Sequence, residues 1–93
     1  MRLKDKVAVV TGSSRGVGHS VALAYGGEGA KVVVNYTSSD KAAQEAVEAI
    51  KGMGSDAVAV KADVAVKADA ENLIRTAVDT FGRLDVLVNN AGF

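Results

Sequence analysis

Gly12, Gly16 and Gly18 stand in the run Val7-Ala-Val-Val-Thr-Gly-Ser-Ser-Arg-Gly-Val-Gly18, behind an apolar β-branched stretch and ahead of a helical pattern. Strand, tight glycine loop and helix together suit a dinucleotide diphosphate. Residues without Cβ let the backbone approach phosphate, and the free N–H groups of the helix start point at it. The sequence closes on Asn89-Asn-Ala-Gly-Phe93 without anything that reads as a catalytic acid or base. No catalytic residue and no metal ligand is assigned.

The elements that must position the loop alternate. Lys6 to Thr11 is a continuous apolar run, as expected of a strand buried on both faces. From Gly16 to about Glu28, Val17, Val21, Ala24 and Tyr25 fall on one helical face, with Gly29 as the stop. Lys31 to Tyr36 reads as a second buried strand, and Thr37-Ser-Ser-Asp40 as a turn rich in helix-capping residues. Lys41 to Met53 places Ala43, Ala46, Val47, Ile50 and Met53 on one face. Asp56 to Ala62 is a third strand with Asp63 at its carboxyl end. A third helix runs from about Asp69 to Phe81, with Leu73, Ile74, Ala77, Val78 and Phe81 inward and Gly82 as its stop. Leu84 to Asn89 is a fourth strand.

Strands separated by helices imply parallel pairing with right-handed crossovers, an α/β Rossmann-type half domain. The expected strand order is 3-2-1-4, with the first two helices on one face and the third on the other. The segments at Gly12 to Gly18, Asn35 to Asp40, Asp63-Val64 and Asn90 to Gly92 then gather on one edge, where open α/β sheets bind ligands.

Composition narrows the class. Ninety-three residues allow one domain, 1–93, with a modest core. Eleven basic and eleven acidic side chains cancel, so no global field draws nucleic acid or an anionic membrane. The absence of Cys removes a disulfide framework, a thiolate zinc site and a cysteine nucleophile. The apolar run after the charged N-terminus ends at Thr11-Gly-Ser-Ser-Arg15, too soon for a signal peptide, and no stretch spans a bilayer. A cytoplasmic protein is expected.

Thr11-Gly-x-x-x-Gly-x-Gly18, Asp63-Val64 and Asn89-Asn-Ala-Gly92, in this order and at these separations, identify a family. The chain closely resembles the amino-terminal half of a short-chain dehydrogenase/reductase, and is most similar to 3-oxoacyl-[acyl-carrier-protein] reductases and their NADP-dependent relatives. The resemblance implies that Gly12, Gly16 and Gly18, with Val17 between them, form the diphosphate loop. It places Ser13, Ser14 and Arg15 near the adenosine ribose, Asp63 and Val64 at the adenine, and Asn90, Ala91 and Gly92 along the ribose on the nicotinamide side. Thr11 and Asn89 are expected to tie neighbouring strand ends. Asp63 as a helix cap and Arg15 as a solvated surface residue remain open readings. His19, where the resembled group often has Arg, reads as exposed and non-catalytic.

An NAD enzyme places Asp or Glu at the end of the second strand, where it bonds the ribose 2′-hydroxyl and repels a 2′-phosphate. Here that strand ends Asn35-Tyr36-Thr37-Ser38-Ser39, and the first acid is Asp40. Tyr36 and Thr37 join the cofactor-binding set, and Arg15 is a forked cation suited to phosphate. NADP(H) is expected over NAD(H). The family's proton-transfer set includes a Tyr followed four residues later by Lys. Tyr25 is followed there by Gly29 and Tyr36 by Asp40, so no catalytic residue carries over and the chain is expected to bind dinucleotide without turnover. The alternative is a half-Rossmann structural or oligomerisation module that does not use the cofactor. The fourth strand and the sheet face beside it lack a cover in this reading, so a homodimer through that edge or face is expected. The substrate is not legible.

Overall fold

The computed structural model describes residues 3–12, 16–38 and 40–89. The element order is β1 (Val7–Val10), α1 (Gly16–Gly27), β2 (Lys31–Tyr36), α2 (Asp40–Gly52), β3 (Ala57–Lys61), α3 (Lys67–Phe81) and β4 (Val86–Val88). The four strands form one parallel sheet in the expected order β3-β2-β1-β4. Ala8 aligns with both Val32 and Val86, and Val32 aligns with Ala57, so the strands share one register across the sheet.

Side-chain alternation divides the core into two layers. Val10, Val32 and Val34 face α1 and α2, where they meet Ala22, Ala43, Ala46, Val47 and Ile50. Val7, Val9 and Val33 face the other way and pack with Leu73 and Ala77 of α3. All four residues of β1 are fully buried, and Val32 to Val34 with them. Among the described residues no helix is long and apolar enough to cross a membrane.

The packing corrects the expected phase of α1. Its buried residues are Gly18, Ala22 and Gly26, not the stripe begun by Val17. Val17 is 72% exposed, and Ala24 is exposed. Val21 and Tyr25 are only partly covered. Small residues face inward because α1 lies close against α2. A Cβ built on Gly26 would stand 2.8 Å from Ile50 Cγ2 and 3.0 Å from Ile50 Cγ1. Met53 also differs from its expected inward position: it is exposed beyond the end of α2. Val78 is exposed on α3, which begins at Lys67, two residues before the expected start.

The short strand β4 is held at both ends by reciprocal polar contacts. At its start, Asp85 N donates to Val7 O at 2.9 Å, and Val7 N donates to Asp85 Oδ2 at 2.9 Å. Asp85 Oδ1 accepts from the Arg83 guanidinium at 2.7 Å. The Arg83 hydrogen bond first, and the Val7 N–H second, hold the Asp85 carboxyl below its ordinary pKa.

A carboxyl with a lowered folded pKa stabilises the fold above its unfolded value and loses that contribution as pH falls through the folded one. Asp85→Asn is therefore expected to lower the urea midpoint at pH 7, and the gap to the parent chain should narrow below about pH 4, the ordinary carboxylate range. A gap of the same size at pH 7 and pH 3 would contradict the assignment. Gly26→Ala should destabilise by about 1–2 kcal/mol, because the overlap with Ile50 outweighs the better helix propensity of Ala. Paired with Ile50→Ala it should cost less than the two changes summed, which a double-mutant cycle measures.

Candidate functional site

The carboxyl ends of the strands deliver Thr11-Gly12, Asn35 to Ser38, Ala62 to Val64 and Asn89 to one edge of the sheet. At the end of β1 the chain turns through Gly12 at φ 61° and enters α1 at Gly16 with φ 68°. Both angles lie in the left-handed region that favours glycine. A Cβ built on Gly16 meets no atom within 4 Å. Gly18, two residues on, is buried where α1 packs. Val17 stands between them as an exposed apolar surface.

Thr11 and Asn89 make the expected tie between strand ends. Thr11 is 4% exposed. Its N–H donates to Val88 O at 2.9 Å. Its hydroxyl lies 3.3 Å from both Val88 O and Asn89 Oδ1, two acceptors for one proton.

The tie on the other side of β1 was not foreseen. Asn35 is 1% exposed. Its Oδ1 accepts from Gly12 N at 2.9 Å, and its Nδ2 donates to Ala62 O at 3.0 Å and lies 3.4 Å from Val60 O. The signal was available: a carboxamide inside Val-Val-Val-Asn is a polar group at a position that burial makes costly unless it is hydrogen-bonded.

Asp63 is exposed at the end of β3. Its Oδ1 accepts from Ala65 N at 3.0 Å, closing a turn, while its own N–H donates to Asp69 Oδ2 at 2.9 Å. Asp63 thus shapes the loop rather than capping α3, whose N-cap is Val66 without a side-chain bond. Val64 lines an apolar cavity of about 270 Å³ with Thr11, Leu73, Ile74, Leu87 and Asn89. At the end of β2, Thr37 is exposed and Tyr36 half-buried. The Tyr36 phenol has its pKa raised, first by loss of surrounding water, then by its hydrogen bond to the Asp40 carboxylate and that group's charge.

Ser13, Ser14, Arg15, Asn90, Ala91 and Gly92, all named as cofactor-binding, lie outside the described residues. Those described, Gly12, Gly16, Val17, Gly18, Tyr36, Thr37, Asp63 and Val64, follow the ends of β1, β2 and β3 on one side of the sheet. Among the described residues no cluster of three His, Asp or Glu side chains could hold a metal. The left-handed glycines 12 and 16, the open space at Gly16 and the helix start there fit a diphosphate group.

Comparison with known proteins agrees with this geometry. The family model for the short chain dehydrogenase matches residues 6–93. An uncharacterized oxidoreductase of Methylorubrum extorquens is 54% identical over 91 residues, covering 98% of this chain and 37% of the relative. A short chain dehydrogenase from Burkholderia cenocepacia, solved in complex with NADP, superposes with a TM-score of 0.96 at 41% identity, covering 100% of this chain and 38% of that one. A 7α-hydroxysteroid dehydrogenase, solved with NADH and 7-oxo glycochenodeoxycholic acid, gives 0.89 at 34% identity, over 95% of this chain and 34% of that one. The chain thus spans little more than a third of the length of these proteins.

The Thr11 tie makes a direct prediction. Thr11→Val, which keeps the shape and removes the hydroxyl, should destabilise the chain by about 1 kcal/mol in urea, and Thr11→Ser should spare most of that. Equal losses for both variants would place the effect in packing instead of the hydrogen bond.

Proposed function

The chain belongs to the short-chain dehydrogenase family, and from that premise we propose that it forms the dinucleotide-binding part of an NADP(H)-preferring oxidoreductase. The observation that carries this reading is the convergence at one sheet edge. Left-handed glycines 12 and 16, with open space at Gly16, lead into α1, and the ends of β2 and β3 lie beside them. When bound, the nicotinamide supplies or accepts the hydride, exchanged in such enzymes with a carbonyl or alcohol carbon.

The chain's residues then divide the binding work. Amides at the start of α1 face the diphosphate, with Gly12 and Gly16 forming the turn, Gly18 letting α1 pack close behind it and Val17 offering an apolar surface. Asp63 and Val64 flank the adenine. Tyr36, Thr37, Ser13, Ser14 and Arg15 surround the adenosine ribose, and Asn90, Ala91 and Gly92 the ribose at the nicotinamide end. A 2′-phosphate is favoured over a free 2′-hydroxyl because no acid ends β2. The first acid after it along the chain is Asp40, four residues after Tyr36. Structural neighbours of both kinds occur, two solved with NADP and one with NADH, so the preference rests on these residues.

Assayed alone, these 93 residues are proposed to bind without turnover, since neither tyrosine stands in a Tyr-x-x-x-Lys pattern. A second proposal concerns assembly. Among the described residues β4 pairs only with β1, and Leu87 on it is 54% exposed beside the apolar cavity. That edge supports self-association.

Isothermal titration with NADPH and NADH tests the cofactor reading. NADPH should bind at least about tenfold tighter, the effect of one charge-assisted hydrogen-bond set, and Arg15→Ala should remove most of the difference. Equal affinity for the two, untouched by Arg15→Ala, would refute the preference. Light scattering across micromolar concentrations should return the mass of two chains. A monodisperse single chain would refute self-association.

A further inference from the structure

We propose that Asn35 is a positioning residue that joins the diphosphate end and the adenine end of the site into one unit. The proposal rests on the dinucleotide reading and deepens it.

Residue 35 sits near the carboxyl end of β2, between β1 and β3 in the sheet. Its carboxamide reaches both neighbours. It accepts from Gly12 N at 2.9 Å on one side and donates to Ala62 O at 3.0 Å on the other. Gly12 opens the glycine turn, and Ala62 directly precedes Asp63 and Val64. Ala62 N also donates to Tyr36 O at 3.0 Å, so the backbone fixes the β3 end to β2 and the carboxamide carries the link on to Gly12.

The polarity of the bridge is set by its partners. A carboxamide offers an acceptor at one end and two donors at the other. The Gly12 amide requires the acceptor, and the Ala62 and Val60 carbonyls require the donors. No other neutral side chain of this size presents both at once. Aspartate would keep the acceptor for Gly12 and set a second oxygen against the two carbonyls. Serine is too short to span them. The group is 1% exposed, so water does not substitute for a lost partner.

The bridge also decides which amides remain for a ligand. Gly12 N–H is directed into the protein, onto Asn35. The donors for a diphosphate are therefore other amides, with those at the start of α1 among them. Asn35 thus fixes where the turn starts. A movement of the Asp63-Val64 segment on binding adenine reaches the glycine turn through this side chain.

The test uses Asn35→Asp and Asn35→Ser in the full chain, each first checked for folded signal by circular dichroism. Two probes are titrated: NADPH, which spans both ends of the site, and 2′,5′-ADP, which has the adenosine end without the bridging diphosphate. Backbone amide spectra are recorded alongside. Each folded variant should lose at least about tenfold in NADPH affinity, as when a buried polar group is left unpaired, and clearly less for 2′,5′-ADP. In the parent chain the Gly12 amide should shift when 2′,5′-ADP binds, and in the variants it should not. If Asp fails to fold, Ser alone decides. If neither folds, the parent's Gly12 response to 2′,5′-ADP decides, and no shift there defeats the proposal. Equal losses for the two probes, or parent-like NADPH binding, would overturn the role of Asn35 while leaving the dinucleotide reading intact. A parent chain that binds neither NADPH nor NADH would overturn both.

Discussion

Burial of the central strands on both faces is the constraint from which the rest of this structure follows. Val7 to Val10 and Val32 to Val34 are sealed between α1 and α2 on one side and α3 on the other. A strand in that position cannot carry polar chemistry along its length, because an unpaired polar group there costs its full desolvation. Hydrogen-bonding side chains are displaced to the strand ends. At the carboxyl edge these are Thr11, Asn35 and Asn89, and at the opposite edge Asp85. Each bonds across to the neighbouring strand or the loop beyond it. The sheet is apolar in its middle and stitched at its margins, and the candidate site is one of those margins.

The parallel arrangement gives that margin its chemistry. All four strands point the same way, so their following loops share one edge. α1 starts there, and the first N–H groups of a helix have no partner within it. Because the chain's formal charges cancel, local features have to attract an anion. Gly16 provides one, a left-handed residue at the helix start with open space where a side chain would otherwise stand. The same edge is tied laterally, by Thr11 toward β4 and by Asn35 toward β3, so the loops are placed by their neighbours as well as by their own sequence.

How much of this was legible from the residues alone depended on the range of the interaction. Strand positions came through because runs such as Val7 to Val10 and Val32 to Val34 need no partner to be recognised. The order 3-2-1-4 followed from alternation and from the family resemblance of the glycine spacing. The inward face of α1 did not come through. Hydrophobic periodicity selects the large residues, Val17 and Val21, whereas the close approach of α2 selects the small ones, Gly18, Ala22 and Gly26. That approach is set by Ile50, far along the chain. Met53 and Val78 were placed inward for their size alone, and helix ends and packing limits left them outside. Asn35 was noticed as the end of a strand. Its bridge from Gly12 to Ala62 joins positions more than twenty residues away in each direction, which no local pattern encodes.

The central claim is that one edge of the sheet, and no other surface, receives the dinucleotide. Amide chemical-shift mapping of the chain during titration with NADPH addresses it directly. The account predicts that the largest shifts fall on Gly12 and Gly16 to Gly18, on Tyr36 and Thr37, and on Asp63 and Val64, with the opposite edge around Lys4, Lys31 and Asp56 unmoved. Shifts centred on that opposite edge, or spread evenly over the chain, would contradict it.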